Sequence, residues 1–411
     1  MEHLPISPHL IHPLAIEVCR VLNEHNYQAF IVGGCVRDLL LGQTPKDWDI
    51  TTDASPENVS RIFPRNIPTG LQHGTVTVCM GEGVENHFEV TTFRIEGEYS
   101  DGRRPDEVFF VMNVEHDLAR RDFTINAIAY DPITNHLVDP HEGIQDLRLG
   151  TIRAVGNEVT RFKEDGLRIM RAARFAARFN YPVQSSTFQA MAYSIDTLKK
   201  VSKERISDEL SKILMSNHPS LGLQLLRECG ALDIACPLLA GRQLPLLLQQ
   251  DNCKGTLETR LAFLYNKLPV QQVQEELTNL KFSNKEIKRV TFLLELVERF
   301  YAFEEQHTAS AYKGFMAFLK NQSPDPWEET LRQFIHLTGP MGLASSALLE
   351  EYKEQVVLSR KEMAINGDDL LTAGMAAGPR IKKALDGCYL EILRNPESNT
   401  KHHLLEVARQ F

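Results

Sequence analysis

One change of pattern constrains this chain more than any other: before about Arg161 short β-type runs alternate with helical ones, and beyond it the apolar spacing is helical almost throughout. A chain divided in this way folds as a mixed α and β unit followed by helical units. In the first part AFIV before Gly33, WDITT at Trp48, GTVTVCM at Gly74, HFEVTTF at His87, EVFFVM at Glu107 and HLVDP at His136 predict strands. They are rich in β-branched and aromatic residues and bounded by Gly, Pro, Asn or Asp. Between them LAIEVCRVLNEH, VRDLLLG, SPENVSRIF and the stretch through FTINAIAY carry the i, i+3, i+4 apolar spacing of helices, with Ser55 ahead of Pro56 as a cap and first-turn pair. The later part opens on RFKEDGLRIMRAARFAARF and continues through SNKEIKRVTFLLELVERF to HHLLEVARQF, punctuated by loops such as NQSPDPWEE and TAGMAAGPR. At 411 residues the chain exceeds a single core, so two to four domains are expected.

Composition narrows the function. The longest apolar stretches fall far short of the roughly 20 residues a membrane span requires. MEHLPISPHLIHP lacks the basic segment and apolar core of a signal peptide, so a cytoplasmic address without membrane association is expected. Seven cysteines, at 19, 35, 79, 229, 236, 253 and 388, never stand as CxxC, which argues against a disulfide framework or a zinc knuckle. The net charge of -9 removes the simplest argument for a nucleic-acid binder but leaves room for basic residues gathered on one face.

Four constellations carry chemistry. In AFIVGGCVRDLLLG a β-type run meets Gly33 and Gly34 and then a helix; two glycines let backbone N–H groups approach an anion, and Arg37 in the first turn is placed for a triphosphate oxygen. The pattern is neither GxxxxGK[ST] nor GxGxxG. In KDWDITTD, strand alternation sets Asp47 and Asp49 on one side and Trp48 and Ile50 on the other. Paired carboxylates repel unless a cation lies between them, and hard oxygen donors favour Mg²⁺. An isolated DxD is as consistent with a polar outer strand face, but a glycine turn just upstream makes a metal-nucleotide site the better reading. Glu89, in HFEVTTFR, is either a third carboxylate from a neighbouring strand or a structural polar contact. In RRDFTINA, Arg120 and Arg121 supply planar cationic donors for triphosphate or ribose, with Asp122 orienting them; a surface arginine pair is the alternative. Finally, in EDGLRIMRAARFAAR Asp165 and Arg168 are i, i+3 neighbours, and Arg168, Arg171, Arg174 and Arg178 share an arc of about 120°. Either this is a solvated basic face over an apolar stripe, or it meets a ligand.

Taken together and in this order, GGCVRD at Gly33 to Asp38, DWD at Asp47 to Asp49, HGTVTV at His73 to Val78, EVTTFR at Glu89 to Arg94, RRDFTINAIAYD at Arg120 to Asp131 and EDGLRIMRAARFAAR at Glu164 to Arg178 resemble the class II nucleotidyltransferase family. This is the bacterial-type branch of the DNA polymerase β-like superfamily, which contains CCA-adding tRNA nucleotidyltransferases and bacterial poly(A) polymerases. The resemblance covers roughly the first 215 residues and, more loosely, LKFSNKEIKRV at Leu280 to Val290. It implies an α+β fold: a polymerase β-like nucleotidyltransferase head with a mixed sheet and helices at 1–155, then an all-helical neck at 156–215, body at 216–330 and tail at 331–411. It implies that one of the RRD arginines meets the nucleotide and that Asp165 and Arg168 read the incoming base. A carboxylate accepts from the exocyclic amine that cytosine and adenine both carry, and a guanidinium donates to a ring acceptor. Arg171 and Arg174 would hold that pair or reach the phosphates.

IPTGLQHGTVTV and EYSDGRRPDEVFFVMNVEHDLARRD resemble the CCA-adding members, because the poly(A) members tend to carry a GRRF-like stretch after the DxD strand. The expectation is therefore Mg²⁺-dependent, template-independent addition of CCA to tRNA from CTP and ATP. Catalytic Asp47, Asp49 and Glu89 would work with nucleotide-binding Gly33, Gly34, Arg37, Arg120, Arg121, Asp122, Asp165, Arg168, Arg171 and Arg174, and Asp47 and Asp49 would be the metal ligands. Poly(A) synthesis, A-only or CC-only addition, and a non-catalytic RNA-binding or tRNA-folding module are the alternatives. Basic residues of SNKEIKR and GPRIKK are candidate contacts to the tRNA acceptor arm.

Overall fold

The computed structural model describes residues 6–70, 74–97, 108–242, 247–304, 309–341, 362–394 and 398–411. His73 and the polar segment from Tyr99 to Asp106 lie outside the described residues. Packing divides the chain into two compact units, Met1–Ala240 and Gly241–Phe411.

The first unit begins with helix α1 (Pro13–Glu24), strand β1 (Ala29–Val32), helix α2 (Gly34–Leu40), strand β2 (Asp49–Thr52) and helix α3 (Pro56–Ile62). The Ser55 hydroxyl accepts from the Asn58 amide at 3.3 Å with Pro56 in the first turn, as its sequence predicts. Strands β3 (Asn66–Gly70), β4 (Thr75–Cys79), β5 (His87–Thr92), β6 (Arg94–Glu96) and β7 (Val108–Phe110) follow, then helix α4 (Val114–Ala119), strands β8 (Ala129–Asp131) and β9 (His136–Val138) and helix α5 (Gly143–Leu149). Seven strands form one sheet in the order β3-β4-β5-β2-β1-β8-β9, while β6 and β7 pair separately. Among the described strand pairs only β2 and β5 run parallel, and their register sets Asp49 beside Glu89. Along β5 Phe88, Val90 and Thr92 are buried while Glu89 is exposed, so the period-2 alternation of HFEVTT places its one carboxylate on the face away from the core. One side of the sheet closes over Val32, Phe93, Val114, Leu118, Ala127, Ala129 and Val155.

FTINAIAY departs from its helical expectation. Thr124–Asn126 is a 3₁₀ turn and Ala129–Asp131 is the strand that pairs antiparallel with β1. The pairing explains the difference: Ile128, Ala129 and Tyr130 are buried between neighbouring elements, and a continuous apolar run has the same spacing in a core helix as in a doubly covered strand.

The helical part of the first unit comprises α6 (Glu158–Glu164), α7 (Leu167–Phe179), α8 (Ser185–Tyr193), α9 (Lys203–Leu214), α10 (Pro219–Glu228), α11 (Ala231–Ala235) and α12 (Pro237–Ala240). Gly166, ahead of α7, is required by close approach: a Cβ there would lie 2.6 Å from the backbone of Thr197. Gly222 of α10 is pressed against α7 and α9, where a Cβ would lie 2.7 Å from Ile213 and 3.1 Å from the Ala173 carbonyl. The second unit is built of helices, among them Leu257–Tyr265, Asn284–Glu304, Ala309–Gln322, Trp327–Thr338 and Pro379–Arg394. Its core includes Phe300, Phe315 and Phe334, whose ring centroids lie 5.2–5.4 Å apart.

Candidate functional site

The turn between β1 and α2 is shaped around an arginine from elsewhere in the chain. Gly33 adopts φ +78, its amide donates to the Ile128 carbonyl at 3.1 Å, and a Cβ would lie 2.6 Å from Nη1 of Arg121. Only glycine lets that guanidinium rest against the backbone. Gly34 opens α2. Arg37, the fourth residue of α2 and within its last turn, is buried, donates from Nε and Nη2 to Oδ1 of Asp38 (2.9 and 2.8 Å) and from Nη1 to Asn126 (2.5 Å), and lies over the rings of Phe175 and Phe179 at 5.5 and 4.9 Å. The sequence suggested a phosphate contact for this residue; the structure has its guanidinium joining α2 to α7.

Strand β2 starts at Asp49, and Asp47 lies in the bend before it. The expected alternation holds across that boundary: Trp48 and Ile50 are buried, Asp47 is exposed and Asp49 half-buried. Burial pushes the Asp49 carboxyl upward; Arg121 opposes the rise, and Glu89 and Asp47 add to it. Three acidic side chains and one guanidinium therefore act on the same small volume. No preassembled group of three metal-ligating side chains occurs among the described residues. Such a donor set fits Mg²⁺ rather than a protein cage, since Mg²⁺ is held by one or two carboxylates and completes its shell with water and phosphate oxygens.

The carboxylate that orients Arg120 and Arg121 is Asp117, on α4. Fully buried, it accepts from Nε of Arg120 at 2.9 Å and from Nη2 of Arg121 at 3.3 Å. Burial would raise its carboxyl, but the two arginines outweigh that and hold it below the usual range. Asp122, expected to perform this orientation, turns to α7 instead. Its Oδ1 accepts from the Phe123 amide (2.8 Å) and the Asn126 side chain (3.1 Å), and its Oδ2 accepts from Nε of Arg171 (2.7 Å) and from Nη2 of the same residue. Although burial opposes ionisation, Arg171 and Asn126 hold the Asp122 carboxyl far below the ordinary range.

The basic face of α7 is matched by acids residue for residue. Arg168 pairs with Glu164, Arg171 with Asp122, Arg174 with Glu209 and Arg178 with Asp38. Asp165 is paired with Arg205 of α9, whose Nη1 and Nη2 meet Oδ1 and Oδ2 at 3.3 and 2.7 Å; Oδ1 also accepts from the Leu167 amide at 3.0 Å. Arg168 is nearly buried, with Nη1 on the Arg161 carbonyl (2.9 Å) and Glu164, and Nη2 on the Arg120 carbonyl at 3.2 Å. Of its five N–H donors these bonds leave two, Nε–H and one on Nη2. The end of α7 thus carries a fixed acceptor and a fixed donor edge beside the RRD segment.

Local spacing could have revealed some of what sequence reasoning missed. Asp117 stands three and four residues before Arg120 and Arg121, and Glu164 stands between Arg161 and Arg168 at i, i+3 and i, i+4. Arg205 and Glu209 lie on a separate helix and give no local signal.

The arrangement has close counterparts. Three families match in succession: the poly A polymerase head domain over residues 29–153, the probable RNA and SrmB-binding site of polymerase A over 180–241, and the putative tRNA nucleotidyltransferase domain 2 over 257–408. A CCA-adding enzyme of Staphylococcus saprophyticus is 36% identical over 93% of this chain and 94% of its own length, and one of Geobacillus stearothermophilus is 35% identical over 95% of each. The crystal structure of the Bacillus stearothermophilus CCA-adding enzyme in complex with CTP superposes with a TM-score of 0.78 at 32% identity, covering 97% of this chain and 98% of that one. The Thermotoga maritima CCA-adding enzyme complexed with tRNA shares the fold, with a TM-score of 0.69 at 20% identity over 99% of this chain and 98% of that one.

Proposed function

The chain belongs to the class II CCA-adding enzyme and poly(A) polymerase head family, and we propose that the carboxylates of its central strands β2 and β5, with Asp47 before them, carry out nucleotidyl transfer while the N-terminal end of α7 selects the nucleotide. Its activity is the addition of CCA to the 3′ end of tRNA, and its partners are tRNA, CTP and ATP. The head at 1–155 would hold the chemistry, the neck at 156–215 the base, and the body at 216–330 and tail at 331–411 the tRNA.

Asp47 and Asp49 would ligate Mg²⁺, with Glu89 beside them. Held by these carboxylates, a divalent cation would supply Lewis acidity for the attacking 3′-hydroxyl and the α-phosphate, and pyrophosphate would leave. Asp49 is suited to this work because its surroundings disfavour a bare carboxylate. The Gly33–Gly34 turn and the arginines fixed by Asp117 would receive the triphosphate. Arg37 and Asp122 act through other groups: one joins α2 to α7 and the other ties the RRD segment to Arg171.

At the base, Oδ2 of Asp165 would accept from the exocyclic amine shared by cytosine and adenine, and the two remaining donors of Arg168 would meet a ring acceptor. Uracil and guanine present a carbonyl oxygen where the amine should be. Arg171 and Arg174, held by Asp122 and Glu209, keep α7 in place beneath this pair. The observation that carries the reading is that Asp165 and Arg168 are each fixed by a partner other than the other. The expected outcome of Arg168→Ala is a loss of CTP-over-UTP selectivity of about tenfold or more, measured by single-nucleotide extension of tRNA lacking its 3′ CCA. Undiminished selectivity would remove the base-reading role.

A further inference from the structure

Helix α4 ends on carbonyls that have no partner within the helix, as every helix does. Arg161 of α6 supplies one: its Nη2 donates to the Ala119 carbonyl at 2.8 Å and its Nη1 to the Arg120 carbonyl at 3.1 Å. Arg168 places its Nη2 on that same Arg120 carbonyl. The two arginines are joined twice more, because the Arg161 carbonyl accepts from Nη1 of Arg168 at 2.9 Å and Glu164 accepts from both guanidinium groups. The helix capped in this way is the one whose Asp117 holds Arg120 and Arg121, and Arg121 rests against Gly33 and acts on Asp49. A cation at a helix C-terminus is favourable in its own right, and here the cap is shared with a residue assigned to the base.

We propose that Arg161 is a positioning residue that locks the base-reading guanidinium of Arg168 to the carbonyl end of α4, so that nucleotide selection and the triphosphate-facing arginines keep one fixed geometry. The proposal rests on the base-reading role of Arg168. The Arg168 guanidinium is fixed from three directions, by the Arg161 backbone carbonyl, the Glu164 carboxylate and the Arg120 carbonyl, and the Arg161 side chain binds the last two of these acceptors as well. With the Arg161 side chain removed, the Ala119 carbonyl loses its cap, and Glu164 and the Arg120 carbonyl lose the guanidinium that holds them in place. The anchors of Arg168 are then free to shift, and its donor edge loses its set position at the base.

The test measures kcat and KM for CTP, CTP-over-UTP selectivity and tRNA affinity on full-length protein with tRNA lacking CCA. Arg161→Met should lower selectivity about tenfold, the value of one charge-assisted hydrogen bond, with tRNA affinity within about twofold of the parent. Arg161→Lys, which keeps a cation at the α4 carbonyls, should recover most of the loss. If Arg161→Met does not fold, Arg161→Leu, which likewise offers no donor to the α4 carbonyls, is read in the same way. Parental selectivity in the Met or Leu variant overturns the proposal. Arg168→Ala measured in parallel separates the two levels: if it loses selectivity while Arg161→Met does not, only the present inference fails. If Arg168→Ala is itself selective, base reading fails and the coupling falls with it.

Discussion

Asp49, the proposed metal ligand, is placed where a bare carboxylate is disfavoured. Its carboxyl is raised by burial and by Glu89 and Asp47, with Arg121 offsetting part of the rise. A folded-state value above the unfolded one means that the folded protein holds the proton more tightly. Its contribution is therefore greatest below the ordinary carboxylate range and is lost as the pH rises through the raised value. Asp49→Asn should then melt at a temperature equal to or above that of the parent at neutral pH, with the advantage shrinking as the pH falls to about 4, while nucleotide incorporation drops by two orders of magnitude or more. A variant that melts lower at neutral pH would show that the carboxylate is stabilising and that its surroundings have been misjudged. At this scale the sequence was informative where spacing is local: the GG turn joins a strand to a helix and the DxD pair alternates with buried Trp48 and Ile50, whereas Asp122 of the RRD triplet meets Arg171 and not the arginines beside it. It did not disclose that Arg121 comes to rest against Gly33, since that contact joins distant segments.

Among the elements, α7 does most to connect the head to the helices beyond it. Its arginines are each engaged by a carboxylate from another helix, strand end or turn, so the face read from the sequence as basic is nearly neutral as folded. Asp122 and Arg171 form the pair that joins α7 to the RRD segment. Because the Asp122 carboxyl is held far below its ordinary value, its contribution is complete above the usual carboxylate range and fades as the pH falls through and below it. Asp122→Asn should cost about 3 kcal/mol at pH 7 by denaturant unfolding, and the difference should narrow below about pH 4. A cost independent of pH would contradict an ionic origin. Helix positions were legible from apolar spacing and caps, as at Ser55, whereas FTINAIAY was not. Its burial on both faces erased the period that distinguishes strand from helix, and only pairing with β1 decides it.

For the whole molecule, the division into a mixed head and a helical remainder was plain from the composition shift near Arg161. The carboxylates that neutralise α7 could not be anticipated, because they come from separate elements. The net charge of -9 is consistent with this: the arginines of α7 are paired with carboxylates, while in the second unit Lys285, Lys288, Arg380, Lys382 and Lys383 are exposed. Arg289 of SNKEIKR is instead engaged by Asp325 and Glu258, so it holds helices together where the sequence suggested a tRNA contact. Among the described residues no helix is long and apolar enough to cross a membrane.

The central claim is that one protein site, with no nucleic-acid template, admits only amine-bearing bases and builds a fixed sequence. Its most direct test is to incubate the protein with tRNA ending before the CCA and each nucleoside triphosphate, alone and in combination, and to resolve and sequence the products. The account predicts a discrete three-nucleotide CCA extension with CTP and ATP together and little incorporation of UTP or GTP. An adenosine ladder, or UTP and GTP incorporated as readily as CTP, would contradict it.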